Sequence, residues 1–372
     1  MKNIVFTSYS GTPQFNDPVL WLKRIRGYTG ILEQLGEINN VTGIERINYE
    51  GELECKGVRY FFMRLNKRVI RFPIRMHRLI ARLQPDVVFI NGFIFPFQIL
   101  QLKLYLRRGV KIIVLHRAEK PFKGLKRYIQ RMADKCVDYY MFASSEFGDE
   151  WLKAGIIIDN RKIVEIIQAS SVFSKVDKAT AREAVGVYGS PVFLWVGRLD
   201  VNKDPLTVVE AFINFLSSQP GATLYMIYQS GELLQRIQQL IAGSDCATRA
   251  IKLVGAVPHE HMESWYNSAD FILSGSHYEG SGVAVSEAMS CGCIPVVTSI
   301  PSFRRMTGPG KCGFLFNAGD TGSLYDALLK TKDIDIQAES ARALGQFHSE
   351  LSFAAIAHKI EQLIAGKETK AK

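Results

Sequence analysis

The sequence predicts an α/β protein of two successive domains, each built on a parallel sheet with helices around it. Three observations carry this prediction. The chain has 372 residues, which at about 100–200 residues per domain is too many for one small module. Short apolar runs rich in β-branched and aromatic residues recur along it, the mark of strands buried on both faces. Helix-like stretches separate most of these runs, as the crossovers between parallel strands require.

In the first half the runs place strands at residues 3–8, 58–63, 86–91, 111–116, 138–143 and 163–167. In the second half they fall at Val192–Val196, Thr223–Tyr228, Ile251–Val254, Asp270–Ser274, Ile294–Val297 and Gly313–Phe316. Between the two sets, Gln168 to Lys175 is small and polar and reads as the hinge. The expected domains are therefore 1–168 and 169–350, followed by 351–372, where a last helical pattern near 350–366 packs back on the first domain. The tail from Gly366 to Lys372 has no apolar anchor and is expected to fray.

Composition excludes disorder and fibrous repeats: 47% of residues are hydrophobic, 22% charged and 11% aromatic. Lys plus Arg number 46 against 36 Asp plus Glu, a net charge of +10, which points to an anionic partner. The excess is one-sided. Residues 1–168 hold 28 basic and 16 acidic side chains, and the remainder holds 18 and 20. The six cysteines (Cys55, Cys136, Cys246, Cys291, Cys293, Cys312) lack zinc-type spacing and disulfide-scaffold density, so they read as reduced thiols with no metal. The N-terminal apolar run turns polar too soon for a signal peptide, and no stretch is long enough to span a membrane. A cytoplasmic protein, peripheral on a membrane face at most, is the expectation.

Two segments carry the chemistry. The first runs from Ser274 through Glu279, Gly280, Ser281, Gly282, Val283 and Glu287 to Gly292. A strand ends near Ser274, a glycine-bearing loop follows, and a helix starts near Gly282 and stops before Gly292. Such a loop offers backbone N–H groups at a helix N-terminus, where a phosphate fits. Glu279 and Glu287 flank this anion site, which suits carboxylates that accept from ribose and sugar hydroxyls; two solvated glutamates are the plain alternative. The second segment runs from Phe193 to Leu206. Its strand ends at Gly197, Asp204 caps a helix and Pro205 occupies the first turn. Arg198 and Lys203 are thus held at the C-terminal edge of a sheet, with the charge to meet a diphosphate.

Val196-Gly-Arg-Leu with Lys203, Gly255, Ala269-Asp270, Glu279 with Glu287 eight positions on, Gly292-Cys-Ile-Pro-Val-Val and Gly313-Phe-Leu-Phe follow in an order and spacing that resembles the donor half of the family 4 retaining glycosyltransferases. The likeness is strong over about 186–330 and weak over the whole chain. It implies a GT-B fold, two facing Rossmann-like domains with a cleft between them, the acceptor bound by the first and a nucleoside diphosphate sugar by the second. It further implies that Arg198 and Lys203 hold the donor diphosphate with backbone amides around Ser281, Gly282 and Val283. Glu287 would bind the ribose and Glu279 would lie against the transferred sugar. Transfer without a divalent metal is implied, the two cations standing in its place. His116, at a strand end, would lie near the sugar, and Gly11 would be the close-approach glycine of the first strand-helix loop. The chain departs from the family at that loop, which lacks paired glycines, at Ser281, where an aromatic residue is common, and at Tyr228-Gln-Ser-Gly231, which replaces a glycine-rich turn.

The basic excess concentrates in two places. Cys55 to Pro85 carries nine Lys or Arg and no acidic residue, with Arg64, Arg68, Arg71, Arg75, Arg78 and Arg82 at steps of four and three, as on one helical face. Pro73 forces a break in it. A second cluster includes Lys123 and Lys126, with Phe122 and Leu125 available to insert. Such surfaces suit an anionic membrane or an anionic glycan, and equally the solvated face of a core helix. The resulting expectation is a retaining hexosyltransferase of cell-surface polysaccharide, lipopolysaccharide or glycolipid synthesis. A catalytically silent GT-B partner subunit is the alternative, and a basic nucleic-acid-binding protein a more distant one, since no reading motif is present.

Overall fold

The computed structural model describes residues 1–64, 69–229 and 231–367. The chain forms two compact units, Met1–Ser170 together with the segment from Phe353 onward, and Ser171–Ser352.

The first unit contains β1 (Asn3–Ser8), β2 (Asn40–Glu45), β3 (Gly51–Cys55), β4 (Val58–Phe62), β5 (Val87–Asn91), β6 (Lys111–Leu115), β7 (Tyr139–Phe142) and β8 (Ile163–Glu165). They form one sheet in the order β3-β4-β2-β1-β5-β6-β7-β8. All neighbours are parallel except β3, which pairs antiparallel with β4 at the edge. The sequence pattern misses β2 and β3. β2 carries Asn40, Gly43 and Glu45 and so lacks an apolar run, and Gly43 is there because a Cβ would lie 2.6 Å from the Tyr60 ring. β3 alternates exposed and half-buried residues, as an edge ribbon does. The sheet is therefore not purely parallel.

The closing helix Phe353–Ile364 packs on the helix Arg26–Gly36. Asn39 donates to Glu361 at 2.6 Å, and Lys2 and Lys111 both donate to the Ile364 carbonyl. The tail from residue 368 lies outside the described residues.

The second unit contains β9 (Val192–Gly197), β10 (Thr223–Tyr228), β11 (Ile251–Gly255), β12 (Phe271–Ser274), β13 (Ile294–Thr298) and β14 (Phe314–Phe316), all parallel in the order β11-β10-β9-β12-β13-β14. Its core stacks Phe193 on Phe271 with centroids 4.7 Å apart, under Phe212 and Phe215 of the helix Pro205–Leu216.

One device recurs where strands begin. Asp86 accepts from the Asn3 N–H, Asp138 from the Ile112 N–H and Asp270 from the Val192 N–H, at 2.8–2.9 Å. Each carboxylate precedes one strand and caps the start of its neighbour, which sets the parallel register.

The six arginines from Arg64 to Arg82 do not line one helical face. Arg64 lies past the end of β4, Arg71 ends a 3₁₀ turn, and Arg75, Arg78 and Arg82 alone share the helix Ile74–Arg82. Arg68 lies outside the described residues. Pro73 separates turn from helix, and the helix buries Met76, His77 and Ile80 while Phe72 stays 53% exposed. The break occurs at Pro73, whose ring keeps residue 72 out of the helical region and whose missing N–H cannot continue a helix from the turn.

Asp270 is buried, and it also pairs with Lys178 and Arg182. Replacing it by Ala leaves the Val192 N–H and two cations without their acceptor. We expect Asp270→Ala to lower unfolding free energy by about 2–3 kcal/mol in urea titration.

Candidate functional site

The pairing of β9 with β12, with Leu273 in register with Trp195, brings two loops of the second unit side by side at the sheet's carboxyl edge. The first leaves β9 at Gly197 and reaches Asp204. The second leaves β12 at Ser274 and enters the helix Val283–Ser290. They are zipped together. His277 N–H donates to the Asn202 carbonyl at 2.8 Å, Asn202 Nδ2 donates to the Tyr278 carbonyl at 3.1 Å, and the His277 ring meets the Asp204 carboxylate at 3.1 Å. Gly275 permits this approach, since a Cβ there would lie 2.9 Å from the Asp204 carbonyl oxygen. Asp204 itself caps Pro205–Leu216 through the Thr207 N–H, as its position before Pro205 predicts.

The zipper sets Lys203 against Glu279 in an ion pair, with both side chains largely buried. Ser276 Oγ donates to the same Glu279 oxygen at 2.8 Å, and the Ser276 carbonyl accepts from Thr298. Arg198 is more open: its side chain is 64% exposed and touches Asp200 at 3.1 Å. The sequence treats Lys203 and Glu279 as two separate ligand contacts; the structure joins them.

Gly282 opens the helix at φ +52° with no side chain capping the first turn. A Cβ there would lie 2.8 Å from the Phe303 ring and 2.9 Å from Met306 Sδ, so only glycine fits both the backbone and the packing. The uncapped N–H groups and the helix dipole make this end attractive to an anion. A small cleft beside it is lined by Lys203, Ser274, Glu279, Val283 and Phe303.

Glu287 lies one turn further into the same helix and is only 7% exposed. Its oxygens accept from Tyr266 Oη at 2.9 Å and meet the His259 ring at 2.8 Å. Phe173 packs on that ring. A carboxylate has about four lone-pair sites, so acceptor capacity remains toward the exposed His259 side. Burial, with the adjacent Glu287 charge next, pushes the Tyr266 hydroxyl well above its ordinary range, keeping it a donor. Sequence reasoning misses His259 and Tyr266, because lone residues between motifs carry no spacing signal, and passes over Ser276 inside the Ser274–Glu279 segment.

His116 and Gly11 belong to the first unit. His116 is buried against Phe142, its Nε2 is 2.9 Å from the Glu119 carbonyl, and burial lowers its pKa. Gly11 is exposed, and a Cβ there would sit 3.4 Å from Arg46. Of the turn at 228–231, Ser230 lies outside the described residues. Among the described residues no group of three or more His, Cys, Asp or Glu is arranged to hold a metal ion, and no helix is long and apolar enough to cross a membrane.

Two α/β units of this topology define the GT-B class of fold, and solved structures agree. A glycosyltransferase from Rickettsia africae superposes with a TM-score of 0.74 over 100% of both chains at 15% identity. The Anabaena protein HepE, solved with UDP, gives 0.71 over 98% of this chain and 100% of its own, also at 15% identity. Residues 190–332 match the family described as glycosyl transferases group 1. Curated relatives include a D-inositol 3-phosphate glycosyltransferase of Acidothermus cellulolyticus, 26% identical over 50% of this chain and 43% of its own, and the sulfoquinovosyl transferase SQD2 of Arabidopsis thaliana, 25% identical over 61% and 42%. The matched segments span less than half the length of these relatives.

Tyr266→Phe removes the donor to a buried Glu287 oxygen while keeping the ring. We expect a loss of about 1–3 kcal/mol in chemical denaturation, with the fold retained by circular dichroism.

Proposed function

We propose that this protein is a retaining glycosyltransferase that moves a sugar from a nucleoside diphosphate sugar to a hydroxyl acceptor. The observation that carries the reading is the Lys203–Glu279 pair set beside the uncapped N-terminus of Val283–Ser290. As the bond from the anomeric carbon to the diphosphate breaks, negative charge grows on the leaving oxygens and positive charge on the sugar ring. Lys203, Arg198 and the N–H groups of Gly280, Ser281, Gly282 and Val283 face the first, and Glu279 the second. Glu287 takes the ribose hydroxyls with its remaining lone pairs. The first unit binds the acceptor, with His116 near the sugar and Gly11 in the first loop. UDP-sugars are the first donors to test, because HepE binds UDP. Cell-surface polysaccharide or glycolipid synthesis on the cytoplasmic side fits this chemistry.

The basic surface of the first unit gives the reading its setting. The helix Leu125–Asp134 buries Gln130, Ala133 and Asp134 and turns Leu125, Tyr128 and Met132, 84%, 63% and 56% exposed, to the outside. Exposed Lys123, Lys126, Arg127, Arg131 and Lys135 surround them. An outward apolar row flanked by cations fits an anionic membrane surface better than a core helix does.

A nucleoside diphosphate release assay over common nucleotide sugars, with free and lipid-linked glycans, tests the activity. We expect Lys203→Ala to lower kcat by about 10²–10³; no release with any donor would overturn the enzyme reading. Unchanged release in Glu279→Ala would favour the silent-subunit alternative.

Flotation with vesicles tests the membrane setting. Binding should rise with phosphatidylglycerol content, fall with salt and be lost in the triple change of Leu125, Tyr128 and Met132 to Ser. Flotation indifferent to anionic lipid would refute it.

A further inference from the structure

The order β2-β1-β5-β6 reverses chain direction of travel between β1 and β5, and open α/β sheets bind ligands at the carboxyl edge of such a switch point. In this sheet Ser8 is in register with Asn91, and Asn91 with Leu115, while Glu45 follows Ile44, the partner of Thr7. Glu45, Asn91 and Arg117 therefore meet along one edge.

Arg117 is held there by neutral groups. Its Nε and Nη2 donate to Asn91 Oδ1 at 3.2 and 2.9 Å, and its guanidinium lies over the Tyr28 ring, 5.3 Å from the centroid. Its backbone N–H donates to Glu119 Oε2, while Glu119 Oε1 accepts from Phe93 N–H and the Glu119 carbonyl meets His116. The loop is thus fixed from three sides. Among the described residues no carboxylate forms an ion pair with this guanidinium, whereas Arg59, Arg75 and Arg107 pair with Glu52, Glu50 and Asp86. Two of its five N–H groups are used, and three remain. Glu45 is buried, with Trp21 Nε1 donating to its Oε2 at 3.0 Å. Burial pushes its carboxyl up to about 7, against the Trp21 bond and the Arg117 charge, so at neutral pH it only partly compensates the arginine.

We propose that Arg117, held by Asn91 and Tyr28, binds a phosphate group of the acceptor, with Glu45 beside it to hydrogen-bond a hydroxyl of the same molecule. As an acceptor subsite this rests on the transferase reading; as an anion site it stands on its own geometry. A planar guanidinium fork suits phosphate, and fixing it in advance lowers the entropy lost on binding. The site belongs to the half of the chain that carries the positive excess. The phosphate is borne either by a soluble sugar phosphate or by a lipid.

The test uses the full chain and the ¹⁵N indole resonance of Trp21, one of four tryptophans, assigned with Trp21→Phe. Inorganic phosphate should shift it saturably. The affinity should fall about tenfold or more in Arg117→Gln, fall less in Arg117→Lys, which also controls for folding, and stay unchanged in Lys203→Ala. A shift equally strong in Arg117→Gln, or no shift, overturns the proposal. Glucose 6-phosphate and monomeric dihexanoyl phosphatidic acid, titrated in parallel, separate the two sources: the tighter binder identifies which bears the phosphate. No turnover is needed. An Arg117-dependent shift without any nucleotide release would remove the transferase reading and keep the anion site. Release alongside a shift that Arg117→Gln does not weaken would do the reverse.

Discussion

Everything at the candidate donor site depends on β9 lying beside β12. Lys203 and Glu279 are 76 positions apart in the chain, and their ion pair exists because the two strands end together. That pairing is held at its base by Asp270, which caps Val192 and collects Lys178 and Arg182, and in its middle by the stacked rings of Phe193 and Phe271. At its top, hydrogen bonds from the 198–204 loop to the 274–282 loop replace the sheet ladder. A charged pair formed there meets less water than a surface pair, which makes its geometry count for more.

The helix Val283–Ser290 divides its labour by depth. Its amino end has Gly282 at the cap, so no side chain accepts from its first-turn N–H groups. One turn in, Glu287 is engaged by Tyr266 and His259 and anchors the helix to its neighbours. A residue so held positions the helix whether or not a ligand is present.

The first unit follows the same architectural rule with a different charge. Its switch point gathers Glu45, Asn91 and Arg117, and its outer helix Leu125–Asp134 presents apolar side chains among cations. The net positive charge of the chain is therefore not a property of the candidate donor site, whose unit is slightly acidic. It belongs to surfaces of the unit in which an acceptor is proposed to bind.

The amino-acid sequence by itself determined the class of fold, twelve of the strands and the motif residues from Arg198 to Glu287, because buried parallel strands are apolar runs and anion loops need glycine. It was blind to β2, whose Gly43 and Glu45 break the apolar run, and to β3, whose edge position leaves it polar. It also joined six arginines into one face that Pro73 and the burial of Met76 and Ile80 divide. Only the tertiary structure decided that Lys203 pairs with Glu279, that Glu287 is held by His259 and Tyr266, and that Arg117 is fixed by Asn91 and a ring. These contacts join residues from different strands, and spacing along a chain records what is near in sequence, whereas the sheet brings together what is not.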